Sequence, residues 1–277
     1  MAMGEYIGIF DSGYGGLTIL KEIVKTLPQY NYIYLGDNAR APYGTRSFEV
    51  IYHYTQEAVA KLFSMGCRMV ILACNTASAK ALRTIQQVDL SHMDSTKRVL
   101  GVIRPSVEAL ADYSTNGHIG VLATAGTVAS GSYPIEIAKL YGDDRYKITQ
   151  LACPMWVPLV ENNELEGGGA EYFVHKYLTQ LLQKDPEIDT IILGCTHYPL
   201  LRPLIERFLP SHVKIISQGN IVASSLADYL TRHAEIEEQL GREGEIVYYT
   251  TDKTEFFEKM AAVFMGREVK CGSVQIS

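Results

Sequence analysis

The sequence contains no C-x-x-C pair, no cluster of lysine and arginine, and no apolar run near the length of about 18 residues that a bilayer-spanning helix needs. The missing C-x-x-C removes the usual thiol-redox and zinc-ribbon readings. The missing basic cluster, with a net charge of −6, argues against a nucleic-acid surface, so no nucleic-acid partner is expected. The missing apolar run argues against a helical membrane span. The opening M-A-M-G-E-Y has no basic residue ahead of its apolar stretch, so it reads poorly as a secretory signal, and a cytoplasmic protein is expected. Two nucleotide signatures are absent as well. D-S-G-Y-G-G at 11–16 is followed by no G-K-(S/T), and Thr18 stands where a dinucleotide fingerprint needs glycine.

What is present is a repeated alternation of apolar runs and helical periods. Strands are predicted at Glu5–Phe10, Tyr32–Leu35, Arg68–Ala73, Val99–Val102, Ile119–Leu122, Ile148–Leu151, Thr190–Leu193, Val213–Ile216 and Glu245–Tyr249. Helices fill the gaps. One covers Phe48–Met65, with Ser47 as its N-cap and Gly66 as its stop. Continuous apolar strands separated by helices imply an α/β fold whose sheets are mostly parallel and covered on both faces. Gln86–Lys97 and Gly167–Gly169 read as mobile loops, and the tail 233–277 carries no legible motif.

Two short stretches recur. Y-I-G-I-F-D-S-G at 6–13 is echoed by H-I-G-V-L-A-T-A-G at 118–126, and V-I-L-A-C-N-T at 70–76 by I-I-L-G-C-T-H at 191–197. The offsets, 112 and 121 positions, are similar. Two similar α/β halves are expected, each with one hydroxyl-bearing and one cysteine-bearing strand end.

The five cysteines are Cys67, Cys74, Cys153, Cys195 and Cys271, an odd and widely spaced set that suits free thiols. Cys67, Cys153 and Cys271 read as small buried hydrophobes. Cys74 and Cys195 differ, because each ends a predicted strand where a helix is expected to begin. Ligands of parallel sheets bind at the carboxyl ends of the strands, and a helix N-terminus favours a thiolate. Two thiols facing each other across a cleft suit a disulfide, a metal site with His197, or acid–base work on opposite faces of one carbon. A disulfide is disfavoured in a reducing compartment, and no zinc-type spacing is present.

The segments D-S-G-Y-G-G, G-D-N-A-R-A-P-Y-G, A-C-N-T-A-S, G-T-V-A-S and L-G-C-T-H-Y-P-L-L, in this order between Gly8 and Ile216, resemble the glutamate racemases of bacterial cell-wall synthesis. The resemblance implies interconversion of L- and D-glutamate by two cysteine bases, with neither cofactor nor metal. It implies catalytic roles for Cys74 and Cys195, with Asp11 assisting Cys74, His197 assisting Cys195, and Asp37 and Glu161 tied to activity. Substrate contacts would be Asp11, Ser12, Pro42, Tyr43, Gly44, Asn75, Thr76, Thr124, Thr127, Thr196 and His197. It further implies two α/β domains with the ligand between them, 1–98 with 211–277 and 99–210, a role in supplying D-glutamate for peptidoglycan, and a homodimer. Arg104 and the pair Ser217–Gln218 depart from the family pattern. Aspartate racemase is the nearest alternative within the class, and a non-catalytic amino-acid-binding protein the alternative outside it.

Overall fold

The computed structural model describes residues 5–276 and contains ten strands, every sheet pairing of which is parallel. In chain order they are β1 (Tyr6–Asp11), β2 (Tyr32–Gly36), β3 (Cys67–Leu72), β4 (Arg98–Gly101), β5 (His118–Ala123), β6 (Lys147–Ala152), β7 (Thr190–Gly194), β8 (Lys214–Ile216), β9 (Ile246–Thr250) and β10 (Cys271–Ser273). They form a six-stranded sheet, β10-β9-β2-β1-β3-β4, and a four-stranded sheet, β6-β5-β7-β8. Every residue of β1, β2 and β7 is buried. That burial on both faces is why these strands read as unbroken apolar runs.

The order β2-β1-β3-β4 in one sheet and β6-β5-β7-β8 in the other is the same topology used twice. The sequence echoes fall on equivalent strands, β1 with β5 and β3 with β7. The other two pairs, β2 with β6 and β4 with β8, share no comparable run of residues. Strands β9 and β10 have no counterpart and extend the first sheet beyond β2.

Several expectations need correction. Strand β4 bonds to β3 and β8 bonds to β7. Sheet membership therefore changes later than 98/99 and 210/211, after Gly101 and after Ile216, near Val102–Ile103 and Ser217–Gln218. Gln86–Lys97 is not a loop throughout. A wide helical turn at Ile85–Asp89 runs into a helical turn at Leu90–Met93, tied down where Tyr52 and Gln56 donate to the buried Asp89 carboxylate. Gly168 and Gly169 open the helix Gly168–Lys184 rather than lying in a loop. The helix Phe48–Ser64 is as expected, with Ser47 Oγ accepting from Val50 N and Gly66 at φ +91° behind it. None of the described helices is long and apolar enough to cross a membrane.

Candidate active site

The carboxyl ends of β1, β3, β5 and β7 meet where the two sheets' units abut. Each sheet delivers one cysteine there. Cys74 follows β3 and occupies the N-cap position of the helix Asn75–Lys80. Cys195 follows β7 and enters a tight turn, with a 3-10 helix only at Tyr198–Leu201. The expectation that both cysteines open an α-helix thus holds for Cys74 alone. All five cysteines are free, and the Cys74 and Cys195 side chains are both buried.

Around Cys74 the neighbours are a hydroxyl and a carboxyl. Ser12 Oγ lies 3.5 Å from Cys74 Sγ. Asp11, at the end of β1, is buried, with Oδ2 accepting from Gly13 N at 2.9 Å and Oδ1 left without a partner. Burial raises the Asp11 carboxyl above its ordinary range, against the pull of His197 and the Gly13 amide. Burial, then the Asp11 charge, pushes the Cys74 thiol up to about 12. The sequence had pointed the other way, to a helix-lowered thiol. A six-residue helix has a small dipole, and loss of solvent outweighs it here.

Around Cys195 the neighbours form a line. Cys195 Sγ lies 3.8 Å from His197 Nδ1, and His197 Nε2 lies 2.9 Å from Glu161 Oε1, at the end of the helix Trp156–Glu161. Burial opposes a charged imidazole, but the Cys195 and Glu161 contacts on its two nitrogens outweigh it and raise His197 to about 10. The ring is therefore an imidazolium at neutral pH, with one N–H for the sulfur and one for the carboxylate. Phe264 meets it edge-on, with ring centroids 5.7 Å apart. Thiol, ring and carboxylate run in series rather than converging on a point. Among the described residues no three His, Cys, Asp or Glu side chains gather as ligands for one ion.

Asp37, which the resemblance ties to activity, bonds within its own unit. Its Oδ2 accepts from Arg40 Nε at 2.7 Å and from the Tyr43 hydroxyl at 2.5 Å, and its Oδ1 accepts from Thr251 Oγ1 at 2.9 Å. It anchors the Ala41–Gly44 loop. Tyr43 is buried, its hydroxyl taken by Asp37 and held well above its ordinary pKa, chiefly by burial. Pro42 and Gly44 sit in the anchored loop, and Gly44 O accepts from Gly126 N of the second unit at 2.8 Å.

The remaining expected residues line the seam between units. Thr76 Oγ1 lies 3.0 Å from Thr124 Oγ1 and 3.4 Å from Thr127 Oγ1, which joins the Cys74 helix to the end of β5. Thr124 also caps its helix by accepting from Thr127 N. Thr196 O accepts from Thr18 Oγ1 at 3.0 Å. Asn75 is the exception: its side chain points not to the thiols but to Gln218 and Tyr133.

Some contributors were invisible in the sequence. Gly15 lies so close to the second unit that a Cβ would overlap Thr196 Oγ1 and His197 Nδ1. The tail without a motif supplies Thr251 to Asp37 and Phe264 to His197. Neither contact follows from local pattern, because the partners are more than 60 positions apart. A glycine run at a strand-to-helix turn is the one available signal, and it does not say what approaches.

Comparisons with known proteins bear on the family and the fold. The Asp/Glu/Hydantoin racemase family matches residues 7–226. A glutamate racemase from Shouchella clausii is 39% identical over 264 residues, covering 95% of this chain and 91% of its own length. The crystal structure of a glutamate racemase isoform from Bacillus anthracis is 35% identical, with a TM-score of 0.88 and 98% of each chain covered. That of the Francisella tularensis glutamate racemase in complex with D-glutamate is 30% identical, with a TM-score of 0.87 over 99% of this chain and 98% of that one. With a family match across most of its length and relatives this similar end to end, the chain belongs to the Asp/Glu/Hydantoin racemase family, whose members are isomerases.

Proposed function

We propose that this protein is a glutamate racemase that inverts the α-carbon by two-base proton transfer between Cys195 and Cys74, without a cofactor. The observation that carries the reading is the pair of buried thiols on equivalent strand ends of a repeated topology, in two units joined at the seam by Thr76 and Thr124. A two-base inversion needs one thiolate and one thiol at the start of each turnover. Cys74, pushed up to about 12, is the thiol at neutral pH. Cys195, 3.8 Å from His197 Nδ1, is the base that we assign to L-glutamate.

In the forward direction the Cys195 thiolate removes the α-proton of L-glutamate, and the Cys74 thiol delivers its own proton to the opposite face. Product leaves with Cys195 protonated and Cys74 as thiolate, and one proton passed from the first to the second through the surroundings resets the pair. The reverse direction runs the same steps backward. The α-proton of an amino acid is a very weak acid, so oriented donors must stabilise the carbanion. The Thr76, Thr124 and Thr127 hydroxyls, which bond one another, are free to turn toward a carboxylate. Asp11 Oδ1, buried without a partner, is the acceptor left for the ammonium group. The same reading places the enzyme in the cytoplasm as a source of D-glutamate for peptidoglycan.

The test is incubation with L-glutamate in D₂O, following optical rotation and the α-proton NMR signal together. Loss of both supports the reading. Folded, reduced protein that leaves both unchanged would overturn it, and aspartate would be the next substrate to try.

A further inference from the structure

We propose that Gln218 is a positioning residue that sets the spacing of the two thiols by clamping Asn75, next to Cys74, to Tyr133, which braces Cys195; this rests on the two-thiol reading above. Gln218 is buried at the first position of the helix Gln218–Arg232, where the chain crosses from the second sheet back to the first. Its Oε1 accepts from Asn75 Nδ2 at 2.6 Å, and its Nε2 lies 3.1 Å from the Tyr133 hydroxyl oxygen. The Tyr133 hydroxyl in turn donates to Asn75 Oδ1 at 2.8 Å. The three side chains close a ring, in which Gln218 Nε2 also lies 3.2 Å from Asn75 Oδ1. Rings of this kind polarise in a common sense and resist the rotation of any single member.

The ring touches both poles. Asn75 is covalently next to Cys74. The Tyr133 ring packs on Gly194, where an added Cβ would sit 3.1 Å from Tyr133 Cε2, and Gly194 precedes Cys195. Gln218 also grips the other crossing. Its second N–H has Ser106 Oγ at 2.8 Å, while Ser106 Oγ donates to Val102 O at 2.8 Å. One amide therefore ties both interdomain crossings to both cysteine-bearing strand ends. Asn75 Nδ2 keeps a second N–H, whose direction the ring fixes. Glutamate at this position would keep the acceptor and lose both donors. Leucine would lose everything but volume.

A misplacement of about 1 Å can cost on the order of 10²-fold in rate. Here the cost falls on a particular step. Proton removal needs one thiol in place, whereas inversion needs both. Gln218→Leu and Gln218→Glu should lower inversion by about 10- to 100-fold while α-deuterium exchange with retention falls much less. The ratio of retained to inverted deuterated product in D₂O should thus rise. Tyr133→Phe should shift the ratio the same way, and the double variant Gln218→Leu/Tyr133→Phe should lose little more than the worse single. Ser106→Ala serves as the milder variant if Gln218→Leu does not fold, and should move the ratio in the same direction by less.

An unchanged ratio in folded variants, or losses that simply multiply in the double, would overturn the proposal, since a merely structural residue lowers exchange and inversion together. Wild-type protein that exchanges no α-proton would instead overturn the racemase reading.

Discussion

The two cysteine poles share a backbone and differ in almost everything attached to it. Both sit at the carboxyl end of the third strand of a repeated four-strand unit. Cys74 has a serine hydroxyl and a buried carboxyl beside it, and its thiol is driven up by loss of water. Cys195 has an imidazolium held by Glu161 and capped by Phe264. The repeated topology places the two cysteines on equivalent strand ends, and the flanking side chains give them unlike surroundings. Unequal poles cannot bias the equilibrium, because mirror-image substrates have equal free energy in water. The ratio kcat/KM must therefore be the same in both directions, in wild type and in every variant. Asymmetry appears only in how kcat and KM are split.

Removing either pole should have the largest effect. Cys74→Ala and Cys195→Ala are each expected to lower inversion by at least about 10³-fold, read by polarimetry. Residual α-deuterium exchange should be confined to L-glutamate in Cys74→Ala and to D-glutamate in Cys195→Ala. Equal exchange of both enantiomers in one variant would abolish the comparison.

Next comes the relay that makes the poles unlike. His197→Asn should reduce kcat/KM by about 10²-fold, identically in both directions, with kcat for L-glutamate falling more than kcat for D-glutamate. Glu161→Gln should do the same more weakly. Steady-state assays from both enantiomers decide it, and matched kcat changes would mean that His197 serves both thiols.

The Gly15 contact offers a smaller, structural test. Gly15→Ala pushes a methyl group into Thr196 and His197 and should cost about 1–3 kcal/mol by thermal or denaturant unfolding, with a loss of activity. Unchanged stability would mean that the two units separate there without resistance.

The smallest effect is in pH. His197 is raised in the fold to about 10, so its contribution to stability is complete below an unfolded value of about 6.5 and disappears as pH climbs toward 10. The Tm gap between wild type and His197→Asn should therefore be widest near pH 6 and close on the alkaline side. A gap that grows with pH would contradict an imidazolium.

Much of this was legible in the sequence because it is local. Unbroken apolar runs such as V-I-L-A reported parallel strands, and a cysteine directly after such a run reported a strand end. What stayed hidden depends on distant partners. The direction of the Cys74 shift comes from burial, which no short window reveals. Asn75 and Gln218 are 143 positions apart, so neither announces the other. Strand β10 has three residues, one of them glycine, and no alternation to detect.

The late return of the chain to the first sheet has a consequence for the order in which the molecule is made. The second unit, β5 to β8, is complete in one contiguous stretch as it emerges from a ribosome, whereas the first lacks its outer strands until residues 246–273 have been added. Until then β2 has an open edge, Asp37 lacks Thr251, and His197 lacks its aromatic cover. The nascent protein thus carries both thiols before Asp37 and His197 have their last neighbours.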